Sequence, residues 1–132
     1  MESLRKHRRL SPVRVMTAGL VTELVGVGWD ALWRGSLVGV VGDHIVSNLG
    51  VIVLLAGSVW LLRREQSWQR PAVAAAIGGS LLQAVGSVID LSSHLRGTNS
   101  PVAFALIGLG FLLASAGVVI TWRKPGLDTV AG

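Results

Sequence analysis

The sequence predicts an all-α membrane protein, a bundle of four transmembrane helices built as two similar two-helix hairpins. Three observations lead there. Hydrophobic residues make up 51% of the 132-residue chain and charged residues only 14%, which excludes disorder and fits a lipid-embedded chain. The apolar residues fall into four runs, each about the 20 residues needed to cross ~30 Å of hydrocarbon. The basic residues gather at the ends of those runs, as they do in membrane proteins.

The length allows one domain: a basic tail over 1–12, a transmembrane domain over 13–124 and a short tail over 125–132. The net charge of +5 comes from helix-end clusters, not a folded basic surface, so a lipid bilayer is the expected partner and nucleic acid is not. With no cysteine, disulfides, thiolate metal sites and thiol nucleophiles are excluded. Arg far outnumbers Lys, and Ala, Gly and Val are abundant, the usage of a GC-rich bacterial source.

Each element has a local signal. The opening residues carry Arg5, Lys6, Arg8, Arg9 and Arg14. The apolar run that follows contains Glu23 and Asp30 and lacks a small-residue cleavage site, so the start reads as a retained tail and not a signal peptide. Span one runs from Val13 to Trp33. A Gly-rich connection over 34–43 leads to span two, His44 to Leu62, with Asp43 as its N-cap. After a polar loop, Pro71 opens span three at a favoured first-turn position, and it continues to His94. Gly97 and Asn99 mark a turn. Pro101 opens span four, which ends near Trp122, where Arg123 and Lys124 stop it. Trp29, Trp33, Trp60 and Trp122 lie near span ends, as in an aromatic belt.

Ten of the twelve basic residues lie in the N-terminal tail, the loop between spans two and three, and the segment after span four. The positive-inside rule then puts both termini in the cytoplasm of a multi-pass plasma-membrane protein.

A shift of 60 residues lays 15–64 over 75–124 without a gap. The identities include Gly19/Gly79, Gly26/Gly86, Asp30/Asp90, Gly50/Gly110, Gly57/Gly117 and Arg63/Arg123, and Glu23 falls over Gln83. This is the pattern of a duplicated hairpin. Spans one and three are then equivalent, and the expectation is that they face each other through their glycines.

The polar residues inside these runs carry the chemistry. A carboxylate near the bilayer centre costs roughly 2.5–3.5 kcal/mol on insertion scales, so Glu23 and Asp30 are not idle. They are two helical turns apart on one face, shared with Gly19 and Gly26. Glu23 has no basic residue on any span to pair with, so it is protonated, hydrogen-bonded to a group such as Gln83, or open to a polar path. Asp30, His44, Asp90 and His94 belong to one depth layer at the outer side, with His94 one turn beyond Asp90. Ser47 and Asn48 add polar atoms there. Carboxylates and imidazoles from several helices at one level form a bundle-core metal site. Mixed His/carboxylate ligands suit Zn, Fe, Mn or Cu(II), and His44 with His94 could instead ligate a haem iron axially. The alternative reading is interfacial, with Asp30 and Asp90 pairing with Arg34 and Arg96.

Glu23-x-x-Gly26 in the first of four short spans resembles the small multidrug resistance transporters, which implies a first-helix Glu that binds proton and cation in turn. The fuller pattern is Glu23-x2-Gly26-x3-Asp30, then His44-x5-Gly50, with Asp90-x3-His94 in the second half. It is similar to uncharacterised polytopic membrane proteins of actinobacteria that carry ExxGxxxDxxxH followed by a His opening the next helix. Arg34 stands where the first-half His falls in that pattern. The resemblance implies a metal or cofactor site and no established activity.

The sequence therefore predicts a small integral membrane protein that binds a transition metal or haem through Asp30, His44, Asp90 and His94, with Asn48 and Gln83 supporting. Such a protein could serve in a larger membrane complex or as a homo-oligomer. Two alternatives stand beside it: a proton-coupled transporter using Glu23 and Asp30, and a structural subunit with no site. The motifs identify no nucleophile and leave open whether the protein is an enzyme.

Overall fold

The computed structural model describes residues 10–33, 36–64 and 70–123, without the side chains of Asp30, Leu37 and Arg70. The described residues form four helices: α1 (Pro12–Leu32), α2 (Leu37–Arg64), α3 (Arg70–Leu95) and α4 (Pro101–Arg123). Three of them are long and apolar enough to cross a membrane, over Val38–Arg64, Pro71–Leu95 and Pro101–Arg123. The two tails, Arg34, Gly35 and residues 65–69 lie outside the description.

Local chemistry sets the helix ends. Ser11 caps α1 by accepting from the Arg14 amide at 3.3 Å, and Pro12 follows at the first-turn position, where its missing N–H costs nothing. Ser36 caps α2, its hydroxyl oxygen accepting from the Gly39 amide at 3.0 Å. Ser100 and Pro101 repeat the arrangement at α4, with the Ala103 amide donating to Ser100 Oγ. α3 ends where Gly97 takes φ +69°, which lets the Thr98 amide turn back to the Ser93 carbonyl at 2.9 Å.

The Ser36 cap corrects the expected start of the second helix. α2 begins seven residues before His44, so Asp43 is not its N-cap. Asp43 lies in the second turn and accepts a hydrogen bond from Ser47 Oγ at 2.8 Å. Most of the stretch read as a Gly-rich connection is helix, with Val38, Val40 and Val41 continuing the apolar run across Gly39 and Gly42.

Successive helices run antiparallel. α1 packs along α2, and α3 along α4; α2 and α3 share a smaller interface, and α1 and α4 a smaller one still. The glycines do not face each other across spans one and three as expected. A Cβ on Gly19 would meet the Gly50 carbonyl oxygen at 2.8 Å, and one on Gly57 would meet the Met16 amide nitrogen at the same distance, both across the α1–α2 contact. Gly110 stands in the same relation to Gln83 on α3, and Gly117 to Ala76. Each glycine stripe is spent on zipping its own hairpin, where a short connection already holds the two backbones close.

The apolar core lies at the end of the bundle away from the hairpin tips. Val13, Met16, Leu54, Leu61, Val73, Ala76, Ala114 and Val118 form one buried cluster there, with Leu20 and Ile77 against it. Trp122 Nε1 donates to Thr17 Oγ1 at 2.7 Å and ties α4 to α1 at that end. Outward faces are apolar on every helix, with Val21, Ile45, Ile52, Val88, Leu109 and Leu112 among the exposed side chains. Buried residues include Glu23, Ser58, Ser80, Gln83 and Asp90. This polar-inside, apolar-outside distribution is what a bilayer asks of a bundle.

Candidate metal centre

His44, Asp90 and His94 meet near the hairpin tips. His44 comes from α2, and Asp90 and His94 come from consecutive turns of α3, so the cluster exists only because the two hairpins pack there. His44 Nε2 is 3.5 Å from Asp90 Oδ2, and His94 Nδ1 is 3.4 Å from Asp90 Oδ1. The imidazole centroids are 5.7 Å apart, edge to face. Asp90 is 5% exposed, so its carboxyl group depends on these neighbours for polar contacts.

The three residues can offer one ligand atom each, all within 4.8 Å of one another. Metal–nitrogen and metal–oxygen bonds of about 2.0–2.2 Å put the ligand atoms of a tetrahedral site roughly 3.3 Å apart. The two imidazoles approach different oxygens of Asp90, at 3.5 and 3.4 Å, so a set with one atom from each residue, all within 4.8 Å, has to contract to hold an ion. His94 Nδ1 also lies 2.9 Å from the Asp90 carbonyl oxygen. A carbonyl can only accept, so neutral His94 donates through Nδ1 in that contact. Ligation through Nε2 would keep this bond as ring support, whereas ligation through Nδ1 would give it up.

Below the cluster, between the hairpins, lies a cavity of about 280 Å³. Its walls include Val27, Asp43, His44, Ser47, Asn48, Gln83, Ser87, Asp90, Phe104 and Ile107, so all four helices contribute. Ser87 Oγ donates to Asn48 Oδ1 at 2.8 Å across the α2–α3 interface. Glu23 is buried one level further in, at 2% exposed, where its Cγ approaches Gly50. The Gln83 amide interacts with the Glu23 carboxyl. Even so, Glu23 Oε1, Gln83 Nε2 and Asp90 Oδ1 are buried without a well-formed hydrogen bond among the described residues.

The structure thus brings together three of the four residues expected to form the centre. The fourth, Asp30, has its backbone in α1, and its side chain lies outside the described residues. Asn48 and Gln83 line the cavity, and Glu23 meets Gln83, one of the three environments the sequence left open for it. Arg96 does not pair with Asp90; its Nε donates to the Ser92 carbonyl at 3.3 Å. Sequence reasoning missed Ser87 and mistook Asp43. Ser87 was detectable, because Gln83, Ser87, Asp90 and His94 follow the four-three-four spacing of one helix face.

Comparison with protein-family models, with curated proteins and with solved structures finds no match. The functional reading therefore rests on the geometry of the site.

Proposed function

We propose that the protein is a four-span membrane protein that binds a first-row transition ion at His44, Asp90 and His94, on the outer side of a plasma membrane. The observation that carries this is the convergence of two imidazoles and one buried carboxylate from two helices within 4.8 Å. Imidazole and carboxylate ligands without sulfur favour Zn, Fe, Mn or Cu(II) over Cu(I). Three protein ligands leave a coordination position for water or a small ligand, the arrangement of working metal sites more than of closed structural ones. The cavity beneath His44 and Asp90 is where that position would open.

An ion suits this geometry better than haem. Axial ligation needs the macrocycle to pass between the two imidazoles, and the Asp90 carboxylate occupies that space, within 3.5 Å of both rings. For α1 to span as a fourth transmembrane helix, Glu23 has to be sheltered from lipid, and its burial against Gly50 and Gln83 supports this. The distribution of arginines supports cytoplasmic termini. Duplication of one hairpin is supported by the matching contacts Gly50–Glu23 with Gly110–Gln83, and Gly57–Met16 with Gly117–Ala76.

Metal analysis and calorimetry on the detergent-purified protein test the reading, beside a His44→Ala/His94→Ala double variant. One equivalent of bound ion, lost in the variant, is the expected result. A folded wild type that neither carries nor takes up Zn, Fe, Mn or Cu would overturn it.

A further inference from the structure

The cavity has two unlike ends. Towards the hairpin tips it is lined by Asp43, His44 and Asp90; inward it reaches Gln83 and Val51. Beyond Gln83 the polar lining stops. Ser80 lies one turn further along α3, fully buried, with its hydroxyl donating to the Ala76 carbonyl at 2.8 Å. From there to the far end the bundle is filled by Met16, Leu54, Leu61, Val73 and their neighbours, with Ser58 fully buried and donating to the Leu54 carbonyl, and Ser115 Oγ buried without a well-formed hydrogen bond.

Two lining residues carry a buried polar atom without a well-formed hydrogen bond, Asp90 Oδ1 and Gln83 Nε2, and so does Glu23 Oε1, which lies behind Gln83 outside the lining. Orphaned groups of this kind, at 2–5% exposure, are costly unless water reaches them. Their chemistry matches water, which can accept from Gln83 Nε2 while donating to Glu23 Oε1, or donate to Asp90 Oδ1. At ~30 Å³ per molecule, a volume of about 280 Å³ holds several waters. Ser47, Asn48 and Ser87 supply further partners along its length.

We propose that this cavity is a one-ended aqueous inlet that brings water, and protons with it, from the hairpin-tip side of the membrane to Glu23. Protons move along such a column by exchanging covalent and hydrogen bonds between neighbouring waters. The proton that arrives forms an O–H bond at the Glu23 carboxylate and neutralises it, and the column is left as it began. α2 presents Gly50 to Glu23, α3 presents Gln83, and α4 contributes the apolar Phe104 and Ile107 to the cavity wall. Among the described residues, the titratable groups lining the inlet are Asp43, His44 and Asp90. The inlet goes beyond the metal reading and does not require an ion at the cluster.

The chain has no cysteine, so single introduced thiols report cleanly. Ser87→Cys, Gln83→Cys and the control Ser80→Cys are reconstituted in lipid vesicles, with chelator present, and exposed to a small cationic methanethiosulfonate from either side. Full labelling after denaturation confirms each thiol. The expected result is that Ser87→Cys and Gln83→Cys react about tenfold or more faster than Ser80→Cys, and only from the hairpin-tip side, since thiol chemistry follows access. Equal rates at all three positions would overturn the proposal, as would reaction at Ser87→Cys but not Gln83→Cys, or reaction from both sides. Reaction only with a lipid-soluble maleimide would show that the cavity opens to the bilayer and would overturn it too. Metal binding is measured separately, so either reading can fail without the other.

Discussion

Ser87 of α3 donates to the side-chain oxygen of Asn48 of α2 at 2.8 Å, and this bond joins the two hairpins one turn below Asp90. It lies between the His/Asp cluster and the Glu23–Gln83 pair, so it fixes the α2–α3 register on which both depend. Ser87→Ala leaves the Asn48 oxygen without its donor and should cost about 1–3 kcal/mol. Unfolding in mixed detergent micelles, read by tryptophan fluorescence, checks this.

His44 is the only cluster residue that comes from α2. His44→Ala should abolish stoichiometric metal binding, while Asn48→Ala, which removes the acceptor of Ser87, should weaken it by no more than the roughly 10–100-fold typical of supporting groups. Calorimetric titration with Zn²⁺ distinguishes the two. Equal affinity in His44→Ala and wild type would remove His44 from the centre.

The glycine contacts separate packing from tolerance. A Cβ at Gly50 would lie 2.7 Å from the Glu23 amide nitrogen and from the Gly19 carbonyl oxygen, whereas one at Gly28 meets nothing within 4 Å. Gly50→Ala should therefore destabilise the α1–α2 hairpin by about 1–3 kcal/mol through overpacking. Gly28→Ala should stabilise by up to about 1 kcal/mol through helix propensity. Melting temperatures of the two variants in detergent should move in opposite directions.

Glu23 and Gln83 act as a buried polar pair. Glu23→Gln keeps a hydrogen-bonding group against Gln83 and should fold almost as well as the wild type. Glu23→Leu removes the carboxyl that faces the Gln83 amide and should be the more destabilising of the two. If Glu23 also couples to transport, Glu23→Gln should abolish proton-dependent uptake while sparing the fold; uptake that survives unchanged excludes that role.

Much of this was legible in one dimension. Apolar run length, Pro71 and Pro101 at first-turn positions, and Gly97 past the end of α3 are local signals, and they placed three helices to within a residue or two of their observed ends. The i, i+4 spacing of Asp90 and His94 depends only on helical geometry and was legible for the same reason. The start of α2 was misread because Asp43 and Ser36 are both good capping residues, and the sequence does not say which one the backbone uses.

What the sequence by itself determined is helix number, the ends of three of the helices and the level of each polar residue along its own helix, because hydropathy and 1.5 Å of rise per residue convert directly into distance along the axis. Only the tertiary structure decided azimuth, which side of each helix turns to which neighbour. Helices that are apolar nearly all round carry little directional information, so packing between them sets their rotation. That rotation turned the glycines towards hairpin partners instead of across the bundle. It also brought His44 to Asp90 and Asn48 to Ser87, and so made the centre and the cavity beneath it.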